Sequence, residues 1–171
     1  MIQRISGAFV GLVLIIATVS PTIAMAPTHK ITADVMGISE YRSDLSSIVL
    51  SADHQSVKGI ASDTNIFVEI DPATTGVSGG AFTGNVALCK ENVVHQHNRD
   101  CIYGAAAGTA FSNGFQINYL ATVTITGGDA RYAGATGSFN LNVYQYGIQD
   151  LANGGSQIST EFILDGQYSL Q

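Results

Sequence analysis

Positive charge is scarce in this chain. Seven Lys and Arg stand against 13 Asp and Glu, a net charge of −6 over 171 residues. Nucleic-acid binding rests on clustered cations that displace counterions from phosphates, so that class is excluded as a partner. An anionic membrane surface is disfavoured for the same reason. Long apolar runs are also missing, with one exception. Ala8–Val19 (AFVGLVLIIATV) is unbroken, but it falls short of the roughly 20 residues that cross a bilayer. Arg4 precedes it and Ser20, Pro21 and Thr22 follow, ahead of Ala24. A basic start, a short apolar core and small residues at the end is the order of a secretory signal. Cleavage is expected after Ala24, with Ala26 as second choice because Pro27 would follow that cut. Residues 1–24 are therefore read as a signal peptide and residues 25–171 as one domain, secreted or periplasmic, without a membrane span in the mature chain.

Cysteine is nearly absent. The two that occur, Cys89 and Cys101, flank a short segment, CKENVVHQHNRDC. An even count in an exported chain favours a structural bridge over a reactive thiol. Closing a loop of this size is worth about 3 kcal/mol on chain-entropy grounds.

Helical periodicity is missing as well, and alternation with a period of two takes its place. From Phe115 to Thr126 the odd positions are apolar and the even ones nearly all polar. Ile158–Leu170 repeats the pattern with Ile158, Phe162, Leu164 and Tyr168 on one face. Ser138–Tyr146 and Gly80–Cys89 alternate more weakly, and Cys101–Phe111 carries Gly104, Ala106 and Gly108 on one face. Such a face lets backbones approach closely or leaves room inside. Asn65–Ile70 and Ser46–Leu50 are short β-branched runs; Ile31–Ile38 and Gln55–Ala61 are fainter strands. Turn residues fall between the runs, at Asp71–Pro72, Ser112–Asn113–Gly114, Gly127–Gly128–Asp129 and Asn153–Gly154–Gly155. Seven to nine strands joined by short turns make an antiparallel meander. Closure into an all-β barrel of about eight strands removes its edges; a β-sandwich is the alternative. An outer-membrane barrel is disfavoured, because the outward faces are Thr, Asn, Ser and Gln instead of a lipid-facing band.

The segment ITGGDARYAGATGSFNL (125–141) is rich in glycine yet holds no Lys, and an alternating run begins at Ser138 where a phosphate-binding loop would start a helix. Its glycines are therefore expected to reverse the chain with positive φ and to pass close under a neighbouring strand. Tyr132, midway, is expected to fold inward as a plug for the barrel end, and Arg131 to pair with Asp129. This segment resembles the TGGTGRFAGATGSF signature of the allene oxide cyclase-like barrel superfamily, which includes plant dirigent proteins and many secreted bacterial proteins. Gly127, Gly128, Arg131, Tyr132, Ala133, Gly134, Ala135, Thr136 and Gly137 match. Asp129 and Ala130 stand where the signature has Thr-Gly. The resemblance implies an eight-stranded antiparallel barrel with a central cavity. No catalytic residue of those families maps onto this chain.

Few residues point to chemistry. His95 and His97 share a strand face in VHQHNRD, with Asp100 and Glu91 near, and could hold Zn²⁺ or Cu²⁺. A solvated loop tip is the plainer reading, so neither a metal nor another cofactor is expected. No G-x-S-x-G elbow accompanies His29, His54, His95 or His97. Glu69 and Asp71 share a face and read as solvated rim. Tyr119 and Gln145 fall on inward faces and, with Tyr132, are the cavity-lining candidates. The leading expectation is a barrel that binds a small apolar molecule or a glycan without turnover. A cyclase or isomerase that works by orienting its substrate is the second reading, and a structural or adhesive module the third. Association into an oligomer is compatible with all three.

Overall fold

A computed structural model describes residues 26–41, 48–71, 79–90, 100–112, 116–150 and 156–171. The expected signal segment and the His95/His97 pair lie outside these residues. Eight strands follow one another: β1 (Thr28–Tyr41), β2 (Ile48–Val57), β3 (Ala61–Ile70), β4 (Gly79–Lys90), β5 (Asp100–Ser112), β6 (Ile117–Gly128), β7 (Ala135–Asp150) and β8 (Ser156–Leu170). Each pairs antiparallel with the next, and β8 returns to pair with β1, so the sheet is a closed barrel. The sandwich alternative is thereby set aside. Closure gives every strand a neighbour on both sides, although β1 meets β2 only at Ile38–Glu40 and through a Thr32–Lys58 bridge.

Alternation decides which way each side chain points. Ile31, Leu50, Ile66, Leu88, Val123 and Phe162 face inward and are at most 1% exposed. On β5 the inward set is Gly104, Ala106, Gly108 and Ala110, and here close approach wins. A Cβ on Gly108 would lie 2.0 Å from the Leu120 carbonyl oxygen. The space above this small-residue stripe is taken by rings from the strands on either side. Phe82 of β4 and Tyr119 of β6 meet edge to face with centroids 5.3 Å apart.

Two local expectations are corrected. Gln55–Ala61 is not a strand: β2 ends at Val57 and β3 begins at Ala61. Between them Gly59 has φ +89° and the Ile60 N–H donates to the Val57 carbonyl at 3.0 Å, making a tight turn. Val57, Gly59 and Ala61 mimic alternation because a hairpin this short hides its turn inside one period. Arg131 does not pair with Asp129. Its Nε lies 3.3 Å from Asp100 Oδ2, while the Asp129 carboxylate accepts from the Tyr103 hydroxyl at 2.5 Å. A single 3₁₀ turn, Ala130–Tyr132, separates the two side chains and sends Arg131 across the barrel mouth.

Glycine-rich 125–141 behaves as a turn device. Gly134 (φ +76°) reverses the chain into β7, and a Cβ on Gly137 would lie 2.4 Å from the Gln167 carbonyl oxygen. Ala130 also adopts a left-handed φ of +50°, at a position where the resembled signature carries glycine.

Candidate functional site

Three regions of the barrel gather polar side chains. The first closes the mouth formed by the 57–61 turn, the 128–135 connection, the start of β1 and the end of β8. Tyr132 folds inward to 2% exposure, and its hydroxyl donates to the Ile60 carbonyl at 3.0 Å. Arg131 Nη2 donates to the same carbonyl at 2.8 Å and also reaches the Tyr132 hydroxyl. Its guanidinium carbon sits 4.6 Å from the Tyr132 ring centroid. Tyr168 of β8 meets Tyr132 edge-on at 5.9 Å and donates to the Gly59 carbonyl at 2.9 Å. His29 stacks on Tyr168 at 5.0 Å. Burial pushes the Tyr132 and Tyr168 hydroxyls above the ordinary phenol pKa, against the opposite pull of Arg131. Both phenols are thus kept neutral, as donors to backbone carbonyls. This is a cap.

The second region is inside, toward the other end. Ser39 and Thr160 are fully buried, and their hydroxyls lie 2.5 Å apart. Thr160 gives its proton to the Ile158 carbonyl at 2.9 Å, so Ser39 is the donor between the two. Gln145 sits opposite Thr160 in the β7–β8 register and is 0% exposed; Tyr119 is 2% exposed. The barrel therefore brings Gln145 and Tyr119 to the same end, and Tyr132 to the opposite mouth. Among the described residues no Asp, Glu, His or Lys is buried, so this layer is made of neutral groups.

The third region is the outer wall, where a trough of about 710 Å³ runs over β3–β6. Two register lines build it. One crosses Glu69, Asn85, Ala105 and Thr124; the other crosses Thr83, Ala107 and Thr122. The Asp71 N–H donates to the Thr83 carbonyl at 3.0 Å, which places Asp71 at the end of the second line. Ala105 and Ala107 form a low floor because their side chains are single methyls. Asn85 stands on one side and Thr122 and Thr124 on the other, about 10 Å away across two strand spacings, with the acids one strand farther out. A second outer hollow of about 560 Å³ lies between Lys30, Asp165, Asn140 and Gln167.

Glu69 and Asp71, expected on one face as solvated rim, are both exposed. The trough became visible only through register, which sets Asn85, Thr122 and Thr124 beside them. His54, weighed as a possible base, lies on a β2 bulge with φ +56° and contacts Asp63 at 2.9 Å. Cys89 and Cys101 form a disulfide across directly opposed positions of β4 and β5, Cα atoms 4.1 Å apart. Among the described residues no cluster of three or more His, Cys, Asp or Glu could hold a metal ion. None of the described helical segments is long and apolar enough to cross a membrane.

Comparison with protein families and with curated proteins gives no match. Among solved structures, a pterocarpan synthase dirigent protein is similar over 91% of this chain and 100% of its own, at 10% identity and a TM-score of 0.23. At that level no property of that protein is carried over.

Proposed function

We propose that this chain is an exported barrel that holds a neutral polyhydroxylated ligand, a glycan, on its outer wall without turning it over. The observation that carries the reading is the composition of the β3–β6 trough: two carboxylates, an amide and three threonine hydroxyls around a methyl floor. Carboxylate and amide oxygens accept hydrogen bonds from neighbouring sugar hydroxyls, and hydroxyls return them. Methyl groups accept the C–H face of a pyranose. The volume falls in the range of small-ligand sites. The acids and the net charge of −6 disfavour anionic ligands. Export is supported by the cystine, which persists in oxidising compartments.

Binding without turnover is supported by where the acids stand. Glycoside hydrolysis needs two carboxyl groups flanking the scissile bond. Glu69, on β3, and Asp71, just past the end of that strand, sit two residues apart on the same side of the trough. A small apolar ligand inside the barrel is the weaker reading, because the inward side chains of the described strands already enclose one another.

Titration with neutral mono- and oligosaccharides, followed by amide chemical shifts, tests the proposal. Shifts are expected on β3–β6 around Asn85 and Thr122. Glu69→Gln combined with Asn85→Ala is expected to weaken binding at least tenfold with the melting temperature unchanged. Absence of any shift with every saccharide would overturn the reading.

A further inference from the structure

The outer wall carries a second feature next to the trough. One register line crosses five strands as Phe111 (β5), Asn118 (β6), Tyr144 (β7), Glu161 (β8) and Met36 (β1). Their sequence neighbours Tyr119, Val143 and Phe162 face the core, so this line faces out. Phe111 is 40% exposed and Met36 54%. Asn118 is only 9% exposed although it lies on the outer face, set directly between Phe111 and Tyr144. Tyr146, beyond Tyr144 on the same strand, is fixed by a 2.7 Å hydrogen bond from its hydroxyl to Glu161 Oε2. Two aromatic rings thus stand about 10 Å apart, two strand spacings, with an amide between them.

This line is continuous with the trough. Along β6 the outward positions run Asn118, Leu120, Thr122, Thr124, and the last two belong to the trough. On β7 Asn142 stands opposite Leu120 and Asn140 opposite Thr122. The rings are therefore about 13 Å from the trough at Thr122, four strand residues away, across the exposed Leu120 and its amide neighbours Asn118 and Asn142. One sugar cannot occupy both places; a chain of sugars can.

Resting on the glycan reading of the trough, we propose that the ligand is an extended neutral oligosaccharide. Its end or a branch sits among Glu69, Asp71 and Asn85. The following sugars cross Thr122 and Asn142 and stack on Phe111 and Tyr144. Alternation of rings with amides suits sugars, which present C–H faces and hydroxyl edges in turn. A protein-binding patch of this size would be expected to cluster its apolar groups at a dry centre. Here amides and hydroxyls interrupt them on every line.

Calorimetric titration with a mono-, di-, tetra- and hexasaccharide series of one neutral glycan tests this. The native protein is expected to bind the hexasaccharide at least tenfold more tightly than the monosaccharide. In Phe111→Ala/Tyr144→Ala that dependence on length is expected to vanish while monosaccharide affinity stays within twofold. Phe111→Tyr/Tyr144→Phe is expected to keep it. Equal affinity for short and long ligands in the native protein would overturn the extended site and leave the trough reading standing. Binding of no saccharide would remove both. A double Ala variant that retains length dependence, or that changes only the sedimentation of the protein, would assign the rings to another role and overturn the proposal.

Discussion

Ala130 shows what a single position costs. An L-residue in the left-handed region is destabilised by roughly 1 kcal/mol or more relative to glycine, which enters it freely. Ala130 holds φ +50° because Tyr132 beyond it is anchored to the Ile60 carbonyl. Ala130→Gly is expected to stabilise the protein by up to about 1 kcal/mol, less what glycine adds to the entropy of the unfolded chain. Urea unfolding measures it, and a loss of stability would refute the account. Tyr132 and Tyr168 give a second residue-scale expectation. Their pKa values are raised by burial, so the folded state keeps their protons at a pH where the unfolded chain releases them. The stability tied to them is complete below about pH 10 and is lost as pH rises through the folded values. The melting temperature of the native protein should therefore fall more steeply above pH 10 than that of Tyr132→Phe/Tyr168→Phe; parallel curves would contradict it. The inward turn of Tyr132 was legible, since a lone aromatic in a polar connection must be buried by something. Its partners were not, because Ile60 and Gly59 offer backbone carbonyls that no residue type announces.

Strands were legible wherever one face is apolar and the other polar, and they blurred at turns and bulges. β6 and β8 announce themselves over their length. β2 does not: its ladder to β3 is interrupted twice, between Ala52 and Gln55 and between Gln55 and Val57. A bulge moves the alternation out of phase, so period-two reading fails there on physical grounds. The two ends of β1 also differ. It pairs with β8 at fourteen positions but with β2 only from Ile38 to Glu40, plus a lone bridge from Thr32 to Lys58. The candidate site suffers most from this limit. Faces can be assigned strand by strand, but the trough needs four strands in register, and register is a property of pairs. At the same scale, the Cys89–Cys101 bridge ties β4 to β5 at the end where residues 91–99 connect them. Cys89→Ala/Cys101→Ala is expected to cost about 3 kcal/mol, read as a lower urea midpoint, and a reducing agent should do the same to the native protein. An unchanged midpoint in both would show the crosslink to be dispensable.

For the whole molecule, seven to nine alternating runs pointed to an all-β fold, a closed barrel first and a sandwich second, and the structure is the barrel. What composition could not convey is that the interior is closed by side chains at the Tyr132 mouth and by a neutral Ser39–Thr160 pair farther in, leaving the wall as the open surface. The pairing of the first strand with the last has a consequence of its own. Thr28 meets Ser169 and Tyr41 meets Ser156, partners separated by most of the polypeptide. On a ribosome or during threading through a translocation pore, β1 emerges ahead of the other strands, and most of its length waits for a ladder partner until the fifteen residues of β8 arrive. Closure of this cylinder therefore waits on the arrival of β8, and anything that shields β1 in the interval guards the product against sticking to its siblings.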